Sequence, residues 1–310
     1  MSRPILIDTD MGVDDAVAIA LALSSGEVEL AGLVSVGGNV SLDQATRNIG
    51  RLLGGMKPKT RPLVASGLDQ TAPGLKDATH LFGTDGLGGV DLPIPADFAP
   101  GGFLDLYEEL AGRHGHSLTV VAIGPLTNLA AVLRERPGVL AKVGQIVVMG
   151  GAIWCPGNIT RWAEFNFYRD PAAAAAVLSA GLPLTVVPLD VTRQVMMDES
   201  HTAHLSRGGT KAGDLLTRMI RLPLERRTEE SAPGSFIVHD AVAIGVLLWP
   251  KLFMRSKMGL EVVISGEQAG RSKPMVAKDK SRQVGVVISV NVGEFMENLV
   301  EQLCQEKFVV

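Results

Sequence analysis

The chain has 310 residues, 46% of them hydrophobic, and carries a net charge of −4 with a pI near 5.9. A chain of this length can bury a substantial core, either in one large α/β domain or in two smaller ones. The acidic balance, with no concentrated basic face, argues against a nucleic-acid partner, and every apolar run falls far short of the roughly 20 residues that cross a membrane.

The cysteine content and the first residues bear on the cellular compartment. Cys155 and Cys304 are the two cysteines, which excludes a disulfide framework and a cysteine-rich zinc site. The first predicted strand begins at Pro4 and leaves no room for a signal peptide. We therefore expect a cytoplasmic protein.

Short apolar runs typical of buried strands recur along the chain, and stretches typical of helices lie between many of them. The predicted strands are Ile5–Ile7, Leu30–Val36, Leu63–Ala65, Leu118–Ile123, Ile146–Met149, Leu184–Pro188, Val262–Ile264 and Val284–Val290. The predicted helices include Ala16–Leu23, Asp43–Leu53, Thr127–Leu133, Pro171–Leu178, Ala241–Leu248 and Gly293–Leu303. This alternation predicts βαβ units and a mostly parallel sheet.

Two long segments interrupt the alternation. Ser66–Gly102 is rich in Gly and Pro, and Asp190–His239 is polar with several charged residues. Strand-like runs resume after both, so we expect functional covers or disordered insertions rather than domain linkers. In the second segment, His201 and His204 have helical spacing but no evident acidic partner, and we expect them on a solvated face.

The most informative segment is the first strand end, where Asp8, Asp10, Asp14 and Asp15 follow one another between a buried strand and an apolar helix. Open α/β sheets place such residues in a crevice at the carboxyl ends of the strands. No Lys or Arg lies within the segment, so a divalent cation is the economical partner for these anions. All-oxygen ligands indicate Ca²⁺ or Mg²⁺. Asp14 or Asp15 could instead cap the helix, but capping accounts for only one or two of the carboxylates.

Two further strand ends carry polar residues. Asn39 follows the second strand, where it is either a turn residue or a site residue, and Ser41 can cap the next helix. Thr127 is most simply a helix cap after the strand that ends at Ile123. A backbone carbonyl at this strand end could also bind a hard cation.

The later segments supply hydrogen-bonding groups and a candidate acid. Asn158, Glu164 and Asn166 suit several vicinal hydroxyls, each of which both donates and accepts. Asp170-Pro171 begins a helix. In His239-Asp240 the carboxylate could bind the cation while the imidazole donates a proton.

Together these segments resemble the inosine–uridine-preferring nucleoside hydrolases. The matching motifs follow in the family's order over nearly the whole chain: Asp8-Thr9-Asp10-x-Gly12-x-Asp14-Asp15, Gly38-Asn39, Gly124-Pro125-Leu126-Thr127-Asn128, Met149-Gly150-Gly151, Gly157-Asn158, Ala163-Glu164-Phe165-Asn166, Asp170-Pro171 and His239-Asp240. The resemblance implies one nucleoside hydrolase-like domain over residues 1–310, with an open, Rossmann-like α/β fold, long loops over the crevice and one Ca²⁺ below a ribose pocket.

The resemblance also implies the reaction, which is hydrolysis of the N-glycosidic bond of a ribonucleoside to free base and ribose. The implied calcium ligands are Asp10, Asp15, Asp240 and the main-chain carbonyl of Ile123. The ion would also bind the ribose 2′ and 3′ hydroxyls and the attacking water, with Asp10 as general base. Clustered carboxylates suit this chemistry because the sugar develops positive charge in an oxocarbenium-like transition state.

The remaining implied roles concern the substrate. Asp14, Asn39 and Asn166 would hold the 2′ and 3′ hydroxyls, Asn158 and Glu164 the 5′ hydroxyl, and His239 would protonate the leaving base. Family members are commonly homodimers or homotetramers, so we expect a homo-oligomer whose partner is a small nucleoside.

One position departs from the family pattern. Many members carry His directly before Gly in the loop equivalent to Gly83–Gly89, whereas this chain has Phe82, with His80 two residues earlier. We expect Phe82 to stack on the nucleobase rather than hydrogen-bond to it, which leaves the base preference open. Trp154 either reaches the pocket or is a packed aromatic residue.

Two alternatives remain at this point. A haloacid-dehalogenase-type phosphatase also has Asp-x-Asp after a strand, but that family usually has Thr or Val where this chain has Gly12, and its later Lys and acidic pair are not evident. A nucleoside- or sugar-binding protein without turnover would keep the calcium pocket, although the presence of both Asp10 and His239 argues against it.

Overall fold

A computed structural model describes residues 2–70, 77–226, 231–275 and 283–305 of the chain. The strands in these residues are β1 (Arg3–Thr9), β2 (Val28–Ser35), β3 (Leu63–Ser66), β4 (Gly101–Gly102), β5 (Thr119–Ala122), β6 (Gln145–Met149), β7 (Leu184–Val187), β8 (Met196–Asp198), β9 (Ser235–Ile237), β10 (Phe253–Val262), β11 (Ser272–Met275) and β12 (Val284–Val290). The α-helices are α1 (Val13–Ser24), α2 (Leu42–Met56), α3 (Thr79–Phe82), α4 (Phe103–His114), α5 (Thr127–Glu135), α6 (Phe165–Arg169), α7 (Pro171–Ser179), α8 (Leu189–Thr192), α9 (Glu199–Arg207), α10 (Lys211–Glu225), α11 (His239–Leu248) and α12 (Val292–Leu303).

Ten strands form one sheet in the order β11-β10-β12-β7-β6-β5-β1-β2-β3-β4. The pairings from β12 to β4 are parallel, whereas β10 runs antiparallel to both β12 and β11 at one edge. β8 and β9 form a separate antiparallel ribbon. The predicted α/β class, with an open and mostly parallel sheet flanked by helices, is confirmed.

The sheet separates two apolar layers, and β1 contributes to both. Ile5 and Ile7 pack into the layer that contains apolar residues of α1, α2, α10, α11 and α12, while Leu6 packs into the layer of α4, α5 and α7. Successive side chains of a strand point to opposite faces, so a strand buried on both sides is apolar at every position. This burial explains why the parallel strands could be found from apolar runs.

Two expectations were wrong. The strand expected at Val262–Ile264 is instead Phe253–Val262, because this antiparallel strand exposes Arg255, Lys257 and Glu261 and so lacks a continuous apolar run. In its described residues the segment Asp190–His239, for which we expected a functional cover or a disordered insertion, contains most of α8, all of α9 and α10, and the ribbon β8–β9, so the disordered alternative is wrong. Its polar composition reflects the solvated faces of amphipathic helices; α10 buries Leu215, Leu216, Met219 and Ile220 against the core. No helix in the described part of the chain is both long enough and apolar enough to span a membrane.

Candidate active site

A cavity of about 860 Å³ opens at the carboxyl ends of the parallel strands. It lies near β1 and β5, whose following helices α1 and α5 pack on opposite faces of the sheet. Because the chain leaves β1 and β5 toward opposite faces of the sheet, the loops that follow these two strands diverge and leave a crevice between them. Nine predicted site residues line the cavity: Asp14, Asn39, Phe82, Ile123, Asn158, Glu164, Asn166, His239 and Asp240. Asp10 and Asp15 are 1% and 0% exposed.

The turn between β1 and α1 is built around Asp15. The Gly12 amide donates to its Oδ2 at 2.7 Å, and the Thr9 hydroxyl donates to its Oδ1. Asp15 thus takes part in capping α1 as the third helical residue of a capping box, although the N-cap residue itself is Gly12. Met11, between Asp10 and Gly12, completes the turn with a positive φ of 52°.

Three carboxylates meet where α1 and α11 begin. One oxygen from each of Asp14, Asp15 and Asp240 lies within 4.8 Å of the other two, and all three residues are buried. Oδ1 of Asp14 is buried and has no hydrogen-bond partner among the described residues. This arrangement leaves a buried acceptor beside two further carboxylates.

Asp10 is held separately by Asn39. The Asn39 amide nitrogen donates to Oδ2 of Asp10 at 2.8 Å, and Asn39 Nδ2 donates to Oδ1 at 3.1 Å. The same Nδ2 lies 3.1 Å from Oδ2 of Asp15, so Asn39 connects the two carboxylates. The approach requires glycine at position 38, because a Cβ there would lie 2.0 Å from Oδ2 of Asp10.

The electrostatics of these carboxylates are unfavourable without a counter-charge. Burial, and secondly repulsion from neighbouring carboxylates, raises the pKa of Asp10, Asp14 and Asp240 well above the ordinary aspartate value. Burial also raises the pKa of Asp15, although its hydrogen bonds from Thr9 and Gly12 oppose the shift. Either protons or a cation must therefore compensate this group.

The donor set fits a hard divalent cation. It consists of carboxylate oxygens, including the unpartnered Oδ1 of Asp14, and of the nearby Ile123 carbonyl, which accepts from Asn166 Nδ2 at 3.0 Å and has a second lone pair. Oxygen-only ligand sets bind Ca²⁺ or Mg²⁺. We conclude that these residues can hold such an ion.

The loop after β6 supplies the polar wall of the cavity. Glu164 is 1% exposed and accepts hydrogen bonds from the amides of Gly151, Asn166 and Phe167, so it fixes the start of α6. Asn158 Oδ1 accepts from the Phe165 amide at 2.8 Å. This bond leaves Nδ2 as the amide group of Asn158 that can face a ligand.

His239 and Phe82 also line the cavity. Nδ1 of His239 lies 2.8 Å from the Thr192 hydroxyl, and the Phe82 ring packs edge-on against Phe236 with 6.1 Å between centroids. Burial, and secondly the nearby Arg193 charge, lowers the pKa of His239 to about 3, although part of the residue faces the cavity. The ring is therefore neutral at pH 7 and carries one N–H.

Several minor expectations turn out differently. Thr127 is not the cap of α5; its hydroxyl donates to Asp170, which caps α7 as expected. Trp154 is 57% exposed and is not among the residues that line the cavity, so it is neither a pocket residue nor a packed one. His201 does have an acidic partner, because its Nδ1 lies 2.7 Å from Asp198.

The sequence reasoning missed three residues near the cavity. Asp190 accepts from the amides of Ile153 and Trp154, and Arg193, which lines the cavity, donates to the carbonyls of the neighbouring loop. Both could have been found, because they follow the end of β7 as the other site residues follow their strands. Arg226 lines the cavity from the end of α10 and had no such signal.

The comparison with known proteins agrees with this geometry. The family model described as "Inosine-uridine preferring nucleoside hydrolase" matches residues 5–297. The chain belongs to the inosine–uridine-preferring nucleoside hydrolase family. As a member of this family it is an N-glycosidic bond hydrolase, and the phosphatase alternative no longer applies.

Similar proteins differ in the bases that their names give. A pyrimidine-specific ribonucleoside hydrolase from Salmonella schwarzengrund is 33% identical over 272 residues, which cover 86% of each chain. A purine-preferring ribonucleoside hydrolase from Gardnerella vaginalis has a TM-score of 0.89 and 29% identity over 97% of this chain and 98% of its own. A plant nucleoside hydrolase has a TM-score of 0.91 and 29% identity, with 98% and 99% covered.

Proposed function

We propose that this nucleoside hydrolase is calcium-dependent and hydrolyses ribonucleosides to free base and ribose. The observation that carries the proposal is the buried acidic cluster of Asp14, Asp15 and Asp240, whose carboxylates lie close together and have raised pKa values, and in which Oδ1 of Asp14 has no hydrogen-bond partner among the described residues. Asp10, Asp15, Asp240 and the Ile123 carbonyl would hold Ca²⁺, with Asp14 beside them. A bound divalent cation lowers the pKa of a coordinated water molecule.

Asp10 is proposed as the general base. Each of its oxygens accepts one hydrogen bond from Asn39 and retains a second lone pair that can accept the proton of the attacking water. The neighbouring carboxylates Asp14, Asp15 and Asp240 stabilise the positive charge that develops on the sugar as the bond to the base breaks.

The ribose hydroxyls provide the positioning. Asp14, Asn39 and Asn166 would bind the 2′ and 3′ hydroxyls, and all three line the cavity. Asn158 and Glu164 would bind the 5′ hydroxyl, with Asn158 Nδ2 as a donor because its Oδ1 is already engaged. Fixing all three hydroxyls reduces the entropy that must be lost in the transition state.

The leaving base would lie between Phe82 and His239. Phe82 offers an aromatic surface for stacking, held against Phe236. His239 acts as the acid: its ring N–H is shared with a nitrogen of the base as the glycosidic bond breaks. Phe82 stands where many family members have a His that can hydrogen-bond to the base. The base preference of this protein must therefore be measured.

The first experiment is release of reducing sugar from inosine, adenosine, guanosine, uridine and cytidine, with and without a calcium chelator. We expect release that stops with chelator and returns when Ca²⁺ is added in excess. If calcium binds but none of these five ribosides is hydrolysed, the proposal is overturned in favour of an unusual riboside as substrate or of a nucleoside-binding protein without turnover.

His239→Ala should lower kcat for inosine about 10²- to 10⁴-fold and change hydrolysis of p-nitrophenyl riboside far less, because nitrophenolate leaves without a proton. Steady-state kinetics on both substrates tests this difference. Equal losses on the two substrates would remove His239 as the acid.

We further propose a cytoplasmic homodimer or homotetramer. Cys155 and Cys304 are both free thiols, as is usual in a reducing compartment. Exposed Met254, Met275 and Ile288 on the C-terminal strands supply apolar surface for an interface between copies. Light scattering on the purified protein distinguishes a monomer from either oligomer.

A further inference from the structure

One ring nitrogen of His239 contacts Thr192. Nδ1 of His239 lies 2.8 Å from the Thr192 hydroxyl oxygen, and Thr192 is 0% exposed at the end of α8. Because Nδ1 is engaged by this hydroxyl, Nε2 is the ring nitrogen available to a molecule in the cavity that His239 lines.

The backbone next to both residues sets this contact. The Val238 amide donates to the Val195 carbonyl at 3.1 Å, and Met196 pairs with Ile237 in the β8–β9 ribbon. The ribbon therefore joins the segment that follows Thr192 to the segment that precedes His239. Its register fixes the separation of the two side chains.

The short helix α8, which ends at Thr192, also contacts the loop after β6 that forms the polar wall of the cavity. Asp190, in α8, accepts from the amides of Ile153 at 2.9 Å and Trp154 at 2.7 Å, and the Leu189 amide donates to the Gly151 carbonyl. Thr192 thus belongs to an element held between the wall that carries Asn158 and the wall that carries His239.

We propose that Thr192 is a positioning residue: its hydroxyl donates to Nδ1 of His239, keeps the ring proton on Nε2 and directs that N–H at the leaving base. This inference rests on the proposed role of His239. The 2.8 Å contact is the basis of this assignment: a neutral imidazole that accepts a hydrogen bond at Nδ1 carries its ring proton on Nε2. The opposite tautomer would present a lone pair to the base and give no help to its departure.

Thr192→Val removes the hydroxyl at nearly constant volume, and Thr192→Ser keeps it. We expect Thr192→Val to lower kcat for inosine about 10- to 100-fold with little change in KM, and to leave p-nitrophenyl riboside within about threefold. Thr192→Ser should restore most of the inosine rate. Thr202→Val is the matched control, because Thr202 is also buried but donates within its own helix to the Glu199 carbonyl.

Thr192→Val is also combined with His239→Ala in a double variant. We expect kcat for inosine in the double variant to equal that of His239→Ala alone, because Thr192 acts through His239. If His239→Ala is selective for inosine but Thr192→Val is not, the positioning role is overturned while the function of His239 stands. If His239→Ala affects both substrates equally, both proposals are overturned.

A spectroscopic measurement on the parent protein does not depend on how the variants fold. Nitrogen-15 chemical shifts of the His239 ring should show the neutral tautomer protonated at Nε2. A ring protonated at Nδ1 would overturn the proposal.

Discussion

With Ca²⁺ supplied at a concentration that saturates the variant, Asp10→Asn should lower kcat about 10²- to 10⁴-fold while riboside binding is retained, because an amide cannot accept the proton of the attacking water. Steady-state kinetics gives the loss, and calorimetry with a slowly hydrolysed riboside gives the affinity. Both carboxylate oxygens of Asp10 accept hydrogen bonds from Asn39, so the NH₂ group of the substituted asparagine would face an N–H donor of Asn39 and lose one of these bonds.

The matched control is Asp43→Asn, which removes an exposed carboxylate from α2 and should leave turnover unchanged. Turnover of Asp10→Asn near that of the parent would contradict the assignment of the general base. An equal loss of affinity and turnover would indicate instead that Asp10 only holds the substrate.

Asp240→Asn should weaken calcium binding by at least about 100-fold, because it removes a ligand rather than a group that supports one. Calorimetric titration of Ca²⁺ into chelator-treated protein measures the affinity. Thermal unfolding adds a second readout, since an ion that binds only the folded state raises its stability. The Tm gain with Ca²⁺ should therefore be small in the variant.

Repulsion among the buried carboxylates also predicts how Asp240→Asn affects the Tm when no calcium is present. Burial, and then Asp14 and Asp15, raise the pKa of Asp240, so neutralising it removes an unfavourable interaction when no cation is present. The chelator-treated variant should melt no lower than the chelator-treated parent. A large Tm gain with Ca²⁺ that survives the substitution would exclude Asp240 as a ligand.

The sequence predicted which residues line the cavity more fully than it predicted the contacts among them. Asp14, Asn39, Asn158 and Asp240 follow strands or begin helices, and parallel strands bring such positions to one edge of the sheet. The pairing of Asp10 with Asn39 depends on side-chain orientation, which no spacing records.

The features of the fold and of the site that could not be predicted are strands with solvent-exposed residues and contacts between segments that are distant in the sequence. β10 was misplaced because its exposed charged residues interrupt the apolar pattern. The contact between Thr192 and His239 depends on the register of a short ribbon between distant segments. Such pairings are set by tertiary packing, and local composition contains no signal for them.

The place of β12 in the sheet has a consequence for biosynthesis. Among the described strands, β10 and β11 join the parallel strands only through β12, which pairs with β7 on one side and β10 on the other. The Ser272 hydroxyl of β11 donates to the Ala152 carbonyl and accepts from the Ala152 amide, and so holds the loop after β6. β10 and β11 therefore cannot join the sheet, and Ser272 cannot be held beside Ala152 by that sheet, before the residues of β12 have been translated.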